Sequence, residues 1–360
     1  MANSNKKQPS TTLRFIDLFA GIGGIRLGFQ KAAEELQVGA ECVYTSEIDA
    51  QACKTYSSNF PCDNHNPLNS ITEIDEKKLP DFDVLLAGFP CQAFSIAGKR
   101  GGFEDTRGTL FFDVARIIKE KKPKAFLLEN VKGLVNHKGG KTLSTILNVL
   151  ENELGYKSTQ FKVLNARNYG LAQNRERIYI VGFKEGGGGF KYPSSTDSSK
   201  CIGDIIESET VSVKYYLSET YVASMRKHKE RHQSKGNGFG YEIKKYTDVA
   251  NAVVVGGMGK ERNLLIDKRL TDFNPITHIK GKVNREGIRR MTPTEWERLQ
   301  GFPDTWTACV ADASRYKQLG NSVAVPVIQS LCLNIIPEIL NPIPFAKKKE
   351  PQISLFANEI

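Results

Sequence analysis

The sequence predicts a doubly wound, mostly parallel α/β sheet with a smaller irregular second domain. Three observations predict it. Short apolar runs alternate with amphipathic stretches from residue 13 to about 183, glycines sit at the first strand-to-helix junction, and the periodicity lapses after Phe183 before returning near Gly287. Strands spaced by helical patterns require crossover connections and therefore parallel pairing.

In chain order, residues 1–12 are Ser, Asn, Lys and Thr with little to bury, and are expected to be a disordered lead-in. LRFIDLF reads as a strand, IRLGFQKAAEEL as a helix, CVYTSEI as a strand, DAQACKTYSSNF as a helix and DVLLAG as a third strand. TLFFDVARIIKEK is a helix, AFLLEN a strand, KTLSTILNVLENELG a helix and RIYIVGF a fifth strand. KEGGGG then breaks the pattern, and residues 186–287 form the irregular region, with a basic cluster MRKHKERHQSK and a glycine-rich run VVVGGMGKERN. Patterning resumes with TPTEWERLQGF, a helix with Thr292 or Thr294 as its cap. YKQLGNSVAVPVIQSLCLNIIPEIL then supplies one long apolar helix beginning at Gly320 and Asn321. Residues 288–342 are expected to return to the first domain, 13–185, and 343–360 to be a mobile tail.

Composition narrows the function. A net charge of +10 favours a polyanionic partner through counterion release, although a merely basic protein has the same composition. Seven scattered cysteines without a C-x-x-C pair suggest neither a disulfide framework nor a zinc site, so no metal is expected and the compartment should be reducing and intracellular. The polar N-terminus lacks a secretory apolar core, and no apolar run approaches the roughly 20 residues of a membrane span, so no membrane role is expected.

FIDLFAGIGGIRLGF places Gly21, Gly23 and Gly24 between a strand and a helix, where backbone can turn tightly and approach a ligand. A dinucleotide fingerprint would need glycine at position 26, which is Arg26, so a dehydrogenase is disfavoured. No complete G-x-x-x-x-G-K-[ST] phosphate loop is present either. Glu47, ending the second strand some 20 positions on, suits both hydroxyls of a ribose, with Asp17 nearby in the first strand. A structural turn without ligand is the alternative for the glycines.

DVLLAGFPCQAFSIAGKRGGFEDTRGTLFF is the most informative segment. Cys91 follows a buried strand at its carboxyl end, where open α/β sheets place ligand crevices, and Pro90 stiffens the approach. The polar loop beyond, with Gln92, Ser95, Lys99, Arg100 and Arg107, is long enough to act as a lid. Taken alone, Cys91 reads more readily as a buried structural cysteine, the usual fate of a lone Cys. Glu129 ends the neighbouring strand AFLLEN and faces the same crevice or caps a helix. Arg175 and Arg177 alternate into another strand, so both point to one face, there to bind a base oxygen, phosphate or carboxylate, or to form a solvated edge.

Together these segments resemble the DNA cytosine-5 methyltransferase family, bacterial restriction-modification type. The shared motifs are FIDLFAGIGG, the Glu47 strand end, GFPCQAFS, RGTLFF, ENV, QNRERIY, RRMTPTEWERLQGFPD and YKQLGNSV, in family order over about residues 13–335. The resemblance implies a Rossmann-like fold of the S-adenosylmethionine-dependent methyltransferases, with 186–287 as the target-recognition domain. It implies that Cys91 adds to carbon 6 of an extruded cytosine, Glu129 contacts ring nitrogen 3 and the amino group, and Arg175 and Arg177 steady thiolate and base. Cofactor contacts implied are Asp17, Phe19, Ala20, Gly21, Gly23, Gly24, Glu47, Ile48, Ser70, Ile71, Pro90, Leu110, Asn321 and Ser322. Two depart from pattern: Ser70 replaces the usual acidic adenine contact, and Ile48 a large aromatic.

Double-stranded DNA is the implied partner, with Gln92, Ser95, Lys99, Arg100 and Arg107 of the loop, and Lys260 and Arg262 of the glycine-rich run, as its contacts. A cognate restriction endonuclease acting on the same site is a further expected partner, and the protein is expected in the cytoplasm, on the nucleoid when bound to DNA. In the tail, Gln352, Ile353, Ser354, Leu355 and Phe356 resemble the short peptide that binds the bacterial sliding clamp, the alternative being a tail folded back on the first domain. The competing readings are an RNA (transfer RNA) cytosine-5 methyltransferase and a catalytically inactive DNA-binding relative.

Overall fold

A computed structural model describes residues 11–90, 110–196, 199–237, 240–256, 259–275 and 281–345. The chain begins β1 (Thr12–Leu18), α1 (Gly24–Glu35), β2 (Gly39–Ser46), α2 (Ala50–Asn59) and β3 (Val84–Gly88). It continues α3 (Leu110–Lys121), β4 (Ala125–Val131), α4 (Lys141–Asn148), β5 (Gln160–Asn165), β6 (Gln173–Asn174) and β7 (Glu176–Phe183). Six strands make one sheet in the order β2-β1-β3-β4-β7-β5. β1 to β4 pair in parallel, and β7 runs antiparallel to both its neighbours. The sheet is thus mostly parallel, as predicted, with one strand more than the sequence reading anticipated. That strand, QFKVLN, lies at the sheet edge with five of its six residues only partly buried or exposed, so no apolar run marks it.

Period-two geometry divides the core. Leu13, Phe15, Val84, Leu86, Leu127 and Val181 point to one face, packing with Phe29 of α1 and with Val327, Ile328 and Leu331 of α8 (Val325–Leu340). Ile16, Leu18, Leu85, Ala87, Leu128 and Ile180 point to the other, against Phe111 and Ile117 of α3 and Ile146 of α4. Both faces are covered, which is why these strands read as nearly continuous apolar runs.

The remainder holds α5 (Glu219–Gln233), β8 (Ala250–Asn251), β9 (Leu265–Ile266), β10 (Ile288–Arg289), α6 (Pro293–Gln300), α7 (Asp312–Asn321) and α8. The basic cluster expected within an irregular stretch belongs to α5, a fifteen-residue helix capped by Ser218. Only Val222 and Met225 of it are buried, so it leaves almost no helical apolar stripe to detect. The core here is divided into small clusters, such as Leu217, Val222, Met225, Leu264 and Ile288. Ion pairs join them to α6: Arg289, fully buried, bonds Asp267 at 2.9 Å and Glu295 at 2.8 Å. Thr292 caps α6 in a capping box with Glu295.

Three expectations need correction. β1 begins at Thr12, inside the stretch expected to be disordered, because Gly39 N donates to Thr11 O and extends the pairing with β2. Ile343, placed in the mobile tail, is held: its N–H donates to Glu338 at 2.9 Å and its carbonyl accepts from Gly188 N. The long helix expected to begin at Gly320 and Asn321 begins at Val325. Those two residues end a separate helix, α7, because Ser322 is extended and Pro326 sits in the first turn of the new helix. Within Asp312–Leu340 an 18-residue window reaches a mean hydropathy of 1.8, a value the buried core helix of a globular protein also attains. Its apolar side chains go into the core, where α8 packs along α1.

That packing is close at Gly28. A Cβ there would lie 2.5 Å from Ile328 Cβ and 3.0 Å from Val325 O. Although alanine gains about 1 kcal/mol over glycine in an open helix, Gly28→Ala should lower unfolding free energy by about 1–3 kcal/mol through overpacking. Urea denaturation checks this, and a stabilised variant would contradict the packing.

Candidate active site

The carboxyl ends of β1 to β4 open into one cleft of about 580 Å³, counting its open mouth. It lies at the place where open α/β sheets bind ligands. β1 ends in Phe19, whose φ of 54° turns the chain into the glycine run, and Gly23, at φ 82°, precedes α1. A Cβ at Gly21 would meet nothing within 4 Å, whereas one at Gly24 would strike Val323 at 2.8 Å and Ser322 at 3.0 Å. Gly24 therefore lets the start of α1 seat against the α7–α8 break.

Glu47 is set at the end of β2 by three backbone donors. Gly21 N donates to its Oε2 at 2.8 Å, and Ile48 N and Asp49 N to its Oε1 at 2.8 Å. A carboxylate fixed in this way keeps lone pairs free for a diol. Glu129 lies near the carboxyl end of β4, opposite Gly88 of β3, and is 8% exposed. Burial raises its pKa, against the pull of Arg177 and Arg175. Arg177 Nε lies 3.1 Å from Glu129 Oε1. Arg175 is spent differently: it donates to Val253 O at 2.8 Å, to Gly320 O at 3.4 Å and to Ser322 O. Its Nε is buried with no partner among the described residues, and burial lowers its pKa to about 9.

Of the residues expected around a cofactor, Phe19, Ala20, Gly21, Gly24, Glu47, Asn321 and Ser322 line the cleft, together with Glu129. Asp17, Gly23, Ile48, Ser70, Ile71, Pro90 and Leu110 do not line it in this structure. Asp17 is 1% exposed and receives the Tyr56 hydroxyl at 3.4 Å, whereas Ile48 is 73% exposed. Ser70 caps a short turn and bonds Thr72, while Ile71 and Leu110 pack into the α3 side of the core. Pro90 is exposed where the described chain stops. Cys91, Gln92, Ser95, Lys99, Arg100, Arg107 and the tail residues 352–356 lie outside the described residues.

Sequence reasoning missed several participants. Asp49, Gly88, Lys317 and Gln318 also line the cleft. Asn130 donates to Phe89 O at 2.9 Å and so holds the backbone leading to position 91. Asn130, Lys317 and Gln318 stand inside motifs already singled out, ENV and YKQLGNSV, so the signal was present. Beyond the cleft, Lys260 stacks over the Tyr316 ring at 4.3 Å and Arg262 is exposed. Cys42, Asp63 and His65 bring ligand-type atoms within 4.8 Å of one another. There Arg26 already holds both Asp63 oxygens, at 2.5 and 2.9 Å.

The pattern of the C-5 cytosine-specific DNA methylase family matches residues 13–337. Type II methyltransferase M.HpaII of Haemophilus parainfluenzae is 58% identical over 345 residues, 94% of this chain and 93% of that protein. Type II methyltransferase M1.ScrFI of Lactococcus lactis subsp. cremoris is 45% identical, over 88% of this chain and 76% of its own length. Among solved structures, the Dnmt2 methyltransferase of S. pombe superposes with a TM-score of 0.65 at 20% identity, over 92% of this chain and 100% of that one. At that identity the likeness concerns the fold.

The buried Asp17 yields a pH test. Burial raises its carboxyl from 3.8 to about 8, so the native state holds the proton more tightly than the unfolded chain. Its contribution is complete below 3.8 and is lost as pH rises through about 8. Asp17→Asn, which stays neutral, should gain in melting temperature relative to the parent progressively over that window. A difference independent of pH would contradict the assignment.

Proposed function

The chain belongs to the C-5 cytosine-specific DNA methylase family and is a DNA cytosine-5 methyltransferase, and on that premise we propose how it works. Its cofactor is S-adenosylmethionine and its substrate a cytosine swung out of a specific duplex sequence, attacked by Cys91. The observation that carries this reading is the meeting of Glu129, Gly88 and Glu47 in one cleft, with Asn130 gripping the chain two residues before Cys91.

The residues present fit the cofactor. Glu47, held by three amides, takes the ribose diol, Gly21 leaves space where a side chain would stand, and Asn321 and Ser322 offer polar groups from the opposite wall. When bound, S-adenosylmethionine supplies an electrophilic methyl. Cytosine in a duplex cannot reach the cleft, so it must leave the stack. The Cys91 thiolate then forms a bond to carbon 6, and the electron pair moves into the ring toward nitrogen 3. Glu129, protonated more readily for being buried, donates there and lets carbon 5 act as nucleophile. After methyl transfer, loss of the carbon 5 proton to solvent, cleavage of the carbon–sulfur bond and return of the nitrogen 3 proton to Glu129 restore aromaticity, the thiolate and the acid. Arg177 pairs with Glu129 and fixes its orientation. Arg175, committed to three carbonyls, acts as a positioning residue.

Residues 186–287 serve as the target-recognition domain, with Lys260 and Arg262 on the DNA side. The loop with Gln92, Ser95, Lys99, Arg100 and Arg107 closes over the extruded base. The enzyme protects host DNA in the cytoplasm beside an endonuclease of the same specificity. Its tail, Gln352 through Phe356, engages a sliding clamp, and a Leu355/Phe356 double-alanine variant should lose that binding. Clamp affinity equal to the parent's would remove this element.

Labelled methyl transfer tests the central reading. Duplex DNA should be methylated and transfer RNA should not. Glu129→Gln should lower kcat by about 10²- to 10⁴-fold, and Cys91→Ser should abolish turnover while DNA still binds. A duplex carrying 5-fluorocytosine should leave an adduct on Cys91, because fluorine blocks loss from carbon 5. Turnover by Cys91→Ser at the parent rate would refute the mechanism.

A further inference from the structure

Lys317 stands between two clefts. On one side it lines the cofactor cleft with Glu47, Asp49 and Asn321. On the other it lines a second cleft of about 700 Å³, counting its open mouth, with Lys260, Arg290 and Tyr316. Its Nζ donates to Asp49 Oδ2 at 2.5 Å, so the pair ties α7 to the start of α2 across the first cleft. Asp49 itself is fixed. Its Oδ1 caps α2 by accepting from Gln51 N and Ala52 N, and its own N–H donates to Glu47. The tie therefore runs one residue removed from the carboxylate assigned to the ribose.

The two ends are unequally held. The Asp49 side chain is 28% exposed and that of Lys317 56%, and ion pairs this open are weak and readily exchanged. In the second cleft, Lys260, Arg290 and Lys317 face a single carboxylate, Glu261. That carboxylate is already taken by Arg290 at 2.6 Å and the Tyr221 hydroxyl at 3.1 Å. Excess positive charge in an open groove, rimmed by the exposed Val254 and Val255, suits a backbone phosphodiester.

We propose that Lys317 exchanges partners: it pairs with Asp49 in the DNA-free enzyme and with a DNA phosphate in the second cleft once the duplex binds. DNA occupancy then unties the mouth of the cofactor cleft, coupling the two sites through one side chain. This rests on the reading of the protein as a DNA methyltransferase that uses S-adenosylmethionine.

A double-mutant cycle tests it, with a duplex fragment that the parent enzyme methylates and S-adenosylhomocysteine present throughout. Lys317→Gln should weaken DNA binding and reduce the slope of log affinity against log salt by about 1, the signature of one lost phosphate contact. Lys317→Arg should keep the slope. Asp49→Asn, whose amide oxygen can still cap α2, should tighten DNA binding by about two- to five-fold, as a weak exposed pair no longer competes. The decisive measurement is Asp49→Asn in the Lys317→Gln background, where that gain should vanish. A gain that persists there reports only the removal of a negative charge and overturns the exchange, as does an unchanged salt slope in Lys317→Gln. A parent protein that bound no duplex DNA would overturn the functional reading along with it.

Discussion

The buried guanidinium of Arg175 holds the arrangement together. It reaches three carbonyls from three places, at Val253 in the irregular region, at Gly320 within α7 and at Ser322 in the break before α8. Those carbonyls would otherwise lack partners in a water-poor interior, where an unmet polar group costs about 1–3 kcal/mol. The break in turn faces Gly24, where even a Cβ would collide, so α1 and the α7–α8 corner meet without a side chain between them. Asn321 and Ser322 reach the cleft at the strand ends because the helix stops where it does.

Around that frame, carboxylates are treated in distinct ways. Asp17 and Glu129 are desolvated and pushed up, Asp17 to about 8. Glu47 is held by three amides, and Asp49 is held below the usual carboxylate range, first by its bond to Lys317. Environments that separate like groups in this way leave some carboxylates able to hold a proton and others anchored as acceptors.

The region from residue 199 to 290 follows other physics. Two of its apolar clusters hold only a few side chains each, while Ile202, Ile205, Val253 and Leu265 join a larger one with Trp296 and Leu299 of α6, to which the Asp267–Arg289–Glu295 network also ties the region. A buried network of this kind specifies geometry more than it adds stability, because burying the charges offsets much of their attraction. Short strands and small clusters leave no periodic stripe, which is why α5 and the paired strands β9 and β10 were invisible in the sequence while the βα units were plain. Sheet and site differ in the same way. Alternation wrote the central strands directly into the chain, whereas QFKVLN at the edge had no apolar run to show.

Sequence by itself determined the doubly wound core, the glycine turn after β1, and the placing of Glu47 and Glu129 at strand ends, because each follows from spacing along a single element. It also placed Arg175 and Arg177 side by side, yet could not separate them. Only the tertiary structure decided that Arg175 spends its donors on backbone carbonyls while Arg177 meets Glu129, since that depends on segments 78 and 147 positions away. The same holds for Asp49 and Lys317, 268 residues apart and within hydrogen-bonding distance. Local pattern records which face a side chain takes; what waits on that face is set by long-range packing.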